Sequence, residues 1–166
     1  MQGRVENLLG ALVVALGDTL AERTEAVAGH GPSSPAALLG LLRRPGMSIA
    51  NLRHSVGLSH SATVRLVDRM EADGLVGRRN APDGREVSLV LTGVGRRRAL
   101  KLVQERRRVL TRALAGLSTV DRRDLERLVG DMLRTQSRLV EDPTSICRLC
   151  ELPVCPLRRC PVPGGR

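Results

Sequence analysis

Three features of this 166-residue sequence predict a mainly α fold built on a winged helix-turn-helix. The chain has no Phe, Tyr or Trp, so its core must be Leu, Val and Ala, which suits helices packed on helices better than sheet on sheet. Two capped helices joined by a short glycine-containing turn lie near the middle of the chain. Directly after them the hydrophobic period changes from helical to alternating around an Asp-Gly pair, which places a hairpin in the position of a wing. The length suffices for one domain with an appendage and for a core that needs no covalent staples.

The elements follow in order. Val5, Leu8, Leu9, Leu12, Leu16 and Leu20 recur at helical spacing and mark a first amphipathic helix from about Val5 to Val27, stopped by the loop GHGPSSP. A short helix, AALLGLLRR, ends at Pro45-Gly46. Ser48 caps a helix over Ile49 to Val56, and Gly57 is placed to end it with a left-handed residue. Ser59 opens SHSATVRLVDRMEADG, whose inward face is Ala62, Leu66, Val67 and Met70. LVGRR and REVSLVL flank the turn NAPDG, with Val87, Leu89 and Leu91 on one face of the second strand. Thr92 caps a helix carrying Leu102, Val109, Ala113 and Leu117. A last helix carries Leu125, Leu128, Met132 and Leu139 and is stopped by Pro143.

Charge is concentrated in the middle of the chain. Arg43 to Arg112 holds sixteen basic and six acidic residues, a net +10 that equals the net charge of the whole chain. Only Lys101 is a lysine, and arginine's rigid fork suits phosphates and guanine edges. Clustering of this kind points to nucleic acid more strongly than the total does. The apolar run LLGALVVAL does not read as a signal peptide, because Glu6 precedes it and Asp18, Glu22 and Glu25 follow it. No segment reaches the length of a membrane span. A cytoplasmic protein with reduced thiols, and no membrane partner, is the expectation.

The stretch SIANLRHSVGLSHSATVRLVDRMEADGLVGRRNAPDGREVSLVLTGVG, Ser48 to Gly95, resembles the MarR family of winged-helix transcription regulators. The resemblance rests on GLS at the turn, VDRMEADGLV across the second helix and first strand, the DGR of the wing and the LTxxG that starts the next helix; the helix order extends it to about Val5 to Glu141. It implies a homodimer built on a helical dimerisation region formed by the first and last two helices. The dimer binds a pseudo-palindromic duplex DNA operator, most simply as a repressor that answers to a small-molecule effector, a metal or a redox signal. The apolar stripes of the first and late helices also exceed what one small winged helix can cover.

Position then assigns roles. Ser59, His60, Ser61, Thr63 and Arg65 occupy the first turns of the recognition helix, with Arg65 as base reader. The resemblance implies that Arg85 enters the minor groove from the wing tip, braced by Asp83, while Arg78 and Arg79 contact the backbone. GLSHS does not make a nucleophile elbow, since Ser61 stands at the last glycine position and no strand precedes it; no enzyme is expected. His30, His54 and His60 read as surface imidazoles or DNA contacts. An RNA-binding protein using its C-terminal segment as the main surface is the alternative.

That segment is the remaining feature. All four cysteines, Cys147, Cys150, Cys155 and Cys160, lie within fourteen positions. With residues 1–142 as the winged-helix and dimerisation unit, its DNA-binding core at about 34–92, residues 143–166 form a short cysteine-rich appendage. The spacing is similar to a zinc knuckle with cysteine for histidine, and zinc is the leading ligand for four reduced thiols. An iron–sulfur cluster and a metal-free thiol switch are the other two chemistries.

Overall fold

The computed structural model describes residues 3–80, 87–151 and 160–162. Its elements are α1 (Arg4–Ala28), α2 (Ser34–Arg43), α3 (Ile49–Val56), α4 (His60–Ala72), β1 (Val76–Asn80), β2 (Val87–Leu91), α5 (Gly93–Ala113), α6 (Thr119–Ser137) and a 3-10 helix, Pro143–Leu149. The mainly helical winged-helix order predicted from sequence is the observed one. Each helix of the helix-turn-helix is closed by the residues that local chemistry requires. The Ser48 hydroxyl accepts from the Asn51 N–H at 3.3 Å and Gly57 ends α3 at φ 66°. The Ser59 hydroxyl accepts from the Ala62 N–H at 3.2 Å. These caps satisfy amide groups that the helices leave unpaired.

The core is leucine packed between helices and one hairpin. Leu38 and Leu41 of α2, Leu52 of α3, Leu66 of α4, Leu75, Leu89 of β2 and Leu102 of α5 are each less than 2% exposed. Burial of side chains this size stabilises by about 1.5–3 kcal/mol each. Helix α2 is central: it is buried from Ser34 to Leu41 and packs on α1, α3, α5, β2 and the 3-10 helix. Strands β1 and β2 pair antiparallel from Val76↔Leu91 to Asn80↔Val87. Met47 extends the sheet by one bridge, with the Leu89 N–H donating to the Met47 carbonyl at 2.9 Å. Of the face expected from alternation, Leu89 is buried while Val87 is 41% exposed, because Val87 lies at the distal end of the register, away from the core.

The junction after α4 fixes where the hairpin leaves. The Thr92 hydroxyl accepts from the Gly95 N–H at 3.0 Å and donates to the Gly74 carbonyl at 2.5 Å. The Thr92 N–H donates to the Leu75 carbonyl at 3.0 Å. One residue thus caps α5 and ties it to the turn at the end of the recognition helix.

Two helices are only partly covered. Helix α1 packs along α5, yet Val5, Leu8, Leu12 and Val13 remain more than half exposed. Helix α6 makes no more than marginal contact with any other described element, and Val120, Leu128 and Met132 face outward. Leu139 does not belong to this seam. Helix α6 stops at Ser137, six residues before Pro143, and closes in tightened turns: the Arg138 N–H donates to Thr135 and the Leu139 N–H to Gln136. The apolar period continues past the point where the backbone has turned.

The described start of the cysteine-rich appendage, after residue 142, lies against the helical body. The 3-10 helix packs on α2 and α3, Leu149 joins the edge of the core and Cys147 is buried.

Candidate nucleic-acid interface

Helix α4 divides into two faces by its 3.6-residue period. Thr63, Leu66, Val67 and Met70 are buried against the core, while Ser59, His60, Ser61, Arg65 and Arg69 lie outward. Ser59 and Ser61 hold their hydroxyl oxygens 3.3 Å apart at the helix start. That end carries the positive pole of the helix and its first amide groups, a combination that receives phosphate. Arg65 and Arg69 follow one turn apart on the same face. Arg65 has no ion-pair partner among the described residues.

Two of the side chains singled out from sequence are engaged within the protein. Thr63 is fully buried and its hydroxyl donates to the Ser59 carbonyl at 2.9 Å. It therefore shapes the start of the helix from inside. Arg78 on β1 is bound by two acids of the recognition helix, Asp68 at 2.6 Å and Glu71. The hydrogen bond to Asp68, ahead of the attraction of Glu71, raises its pKa. Arg78 braces the wing against α4, and its charge is already matched. Arg79 remains exposed beside it, in register with Ser88. Asp83 and Arg85 lie outside the described residues.

His30 also departs from the surface role expected of it. Its side chain is 12% exposed, with Nε2 3.2 Å from Asp73 Oδ2 but without a hydrogen bond; it sits at φ 60° between α1 and α2. Sequence reasoning missed this contact and the exposed Arg69. The i,i+4 spacing of Arg65 and Arg69 was the available signal for Arg69, whereas nothing local links His30 to Asp73.

The start of the cysteine segment is anchored to the same unit. Arg43, at the end of α2, donates from Nη1 to the Cys147 carbonyl at 2.6 Å and from Nη2 to the Arg148 carbonyl at 2.8 Å. Its Nε donates to Leu39 of its own helix at 3.2 Å. Burial lowers the pKa of this guanidinium, with the Cys150 and Cys147 thiols acting in the opposite sense. Glu151 pairs with Arg107 of α5. Among the described residues no three His, Cys, Asp or Glu side chains converge as a metal site, and Cys155 lies outside them. No described helix is long and apolar enough to cross a membrane.

Comparison with known proteins agrees with this geometry. Residues 29–86 match the model of the MarR family. An uncharacterized HTH-type transcriptional regulator of Bacillus subtilis, YdgJ, is 31% identical over 100 residues, which cover 60% of this chain; the match spans 61% of that relative's length. The structure of a MarR family protein from Bacillus stearothermophilus is similar with a TM-score of 0.68 at 26% identity, covering 82% of this chain and 99% of the other. The YusO protein from Bacillus subtilis shares the fold with a TM-score of 0.69 at 19% identity, over 77% of this chain and 91% of its own.

Proposed function

We propose that this chain, a member of the MarR family of winged-helix regulators, is a transcriptional regulator that binds a pseudo-palindromic duplex operator as a homodimer and represses by covering it. The observation that carries the reading is the outward face of α4, where Ser59, His60, Ser61 and Arg65 surround an open helix start beside the wing. A helix start of this kind fits the major groove, and a hairpin at its side reaches the neighbouring minor groove. The basic excess between Arg43 and Arg112 supplies attraction to the phosphates.

The dimer reading rests on the uncovered apolar rows of α1 and α6. Leu16, Leu110, Leu114, Leu125, Val129 and Leu133 line an apolar groove of about 690 Å³ between α1, α5 and α6. A second copy placing its own α1 and α6 against this region would remove both rows from water at once.

Substitution separates base reading from anchoring. Arg65→Ala should cost about 1–3 kcal/mol on the preferred sequence and relax discrimination at one position in each half-site. Arg85→Ala should weaken binding most on duplexes with a narrow minor groove beside the half-site. Fluorescence anisotropy on a panel of single-position operator variants measures both. Uniform losses on every sequence would reduce both arginines to phosphate anchors.

A further inference from the structure

We infer that the cleft where the 3-10 helix meets the start of α2 and the end of α3 is a binding site for a small phosphate monoester. The inference goes beyond the regulator reading, which supplies only its biological consequence. The cleft has a volume of about 330 Å³, and among the described residues no acidic side chain lines it. Its wall includes the guanidinium-bearing Arg148 of the 3-10 helix. Arg148 has no acidic partner among the described residues; one bond, from Nη1 to the Ser145 carbonyl at 3.0 Å, orients it. Its backbone is held in turn, because Arg43 of α2 donates to the Arg148 carbonyl at 2.8 Å. The cation is thus positioned before any ligand arrives.

Two further donors at the cleft have no acceptor among the described residues. The Ser33 hydroxyl precedes α2 without capping it. Ala36, on the first turn of that helix, is 4% exposed, and its N–H falls ahead of the first backbone bond of the helix, which the Ala37 N–H makes to the Ser33 carbonyl. The Ser55 hydroxyl of α3 reaches only the Asn51 carbonyl, at 3.5 Å. A guanidinium, two hydroxyls and an amide, brought together from three elements, match a group with three terminal oxygens better than a carboxylate with two. The Ser145 hydroxyl differs: it donates to the Asp142 carbonyl at 2.7 Å, which leaves it to accept. An acceptor beside the small apolar walls of Pro32, Ala36 and Val56 suits the hydroxyl-bearing body of a sugar or polyol ester. Ser55 and Val56 end α3, and Gly57 leads into the turn before α4. An occupied cleft would therefore tie the C-terminal segment to the point from which the recognition helix starts.

The test titrates the full chain with ribose 5-phosphate, with ribose and inorganic phosphate as controls, at fixed ionic strength and followed by amide NMR. Ribose 5-phosphate should shift the amides of Ala36, Ser55 and Gly57 and leave those of α6 in place. It should bind roughly tenfold more tightly than either control, since ribose lacks the charge that Arg148 receives and inorganic phosphate lacks the body. Arg148 is exposed, so Arg148→Gln should fold as the parent does while weakening binding roughly tenfold, with partial recovery in Arg148→Lys. Ser33→Ala should weaken it to a smaller degree. Binding no tighter than that of ribose or of inorganic phosphate, affinity indifferent to Arg148→Gln, or shifts confined to the outward face of α4 would overturn the inference. So would an Arg148→Gln protein that loses operator affinity while the parent chain ignores ribose 5-phosphate, for the cleft would then hold the DNA backbone. The titrations contain no DNA, so their failure leaves the regulator reading standing, and failure to bind an operator leaves this one standing.

Discussion

Gly95→Ala should destabilise the protein by about 3 kcal/mol, the largest loss expected from adding a methyl group at any of the described glycines. A Cβ at this position would lie 1.9 Å from the Leu75 carbonyl oxygen and 2.9 Å from its carbon. Both are backbone atoms, and neither can rotate away. The carbonyl is held by the Thr92 N–H, Thr92 caps α5 and bonds Gly74, and Leu75 is fully buried. Relief therefore requires moving α5 away from the turn that follows the recognition helix, at the cost of packing around Leu75 and Leu102. For a domain of this size the loss corresponds to roughly 6–12 °C in melting temperature. Gly116→Ala, where the added carbon meets nothing within 4 Å, should change stability by no more than about 0.5 kcal/mol. Thermal unfolding followed by circular dichroism decides it, and equal melting temperatures for the two variants would mean that α5 and the turn are not packed this closely.

Leu12→Glu should convert the protein from dimer to monomer and lower operator affinity by about a hundredfold or more, because each half-site would then be bound without its neighbour. Leu12 is 51% exposed in the single chain and contributes little to the winged-helix core, so helicity and melting of that core should persist. A carboxylate placed in an apolar interface has to be desolvated without a partner, which association cannot offset. Sedimentation equilibrium gives the mass and anisotropy gives the affinity. A Leu12→Glu protein that remains dimeric would remove α1 from the interface.

Much of this architecture was legible in the sequence because its determinants are local. Ser48, Gly57, Ser59 and Thr92 act on amides within four residues, and the change of period at Leu75 marks where the hairpin begins. The LTxxG signature has a physical reason once the fold is known, since Gly95 is the residue that Leu75 approaches. What the sequence concealed is set by partners far along the chain. Arg43 and Cys147 are 104 residues apart, and no periodicity announces their contact. Arg78 looked like a free wing cation until Asp68 and Glu71 were placed beside it. Thr63 stands at the start of the recognition helix yet points inward, a phase error of one residue that polarity alone cannot correct. Leu139 shows the converse, a helical period that outlasts its helix.

The central claim is that two copies of α4, fixed by α1 and α6, read one duplex symmetrically. Selection of bound duplexes from a random-sequence pool by the intact protein tests it most directly. The account predicts an enriched inverted repeat whose half-site centres lie about one helical turn, roughly 10 base pairs, apart. One dimer should occupy each selected duplex, with affinity falling steeply as salt rises. Enrichment of a single unrepeated motif bound by a monomer, or no enrichment above bulk duplex at any salt concentration, would contradict it.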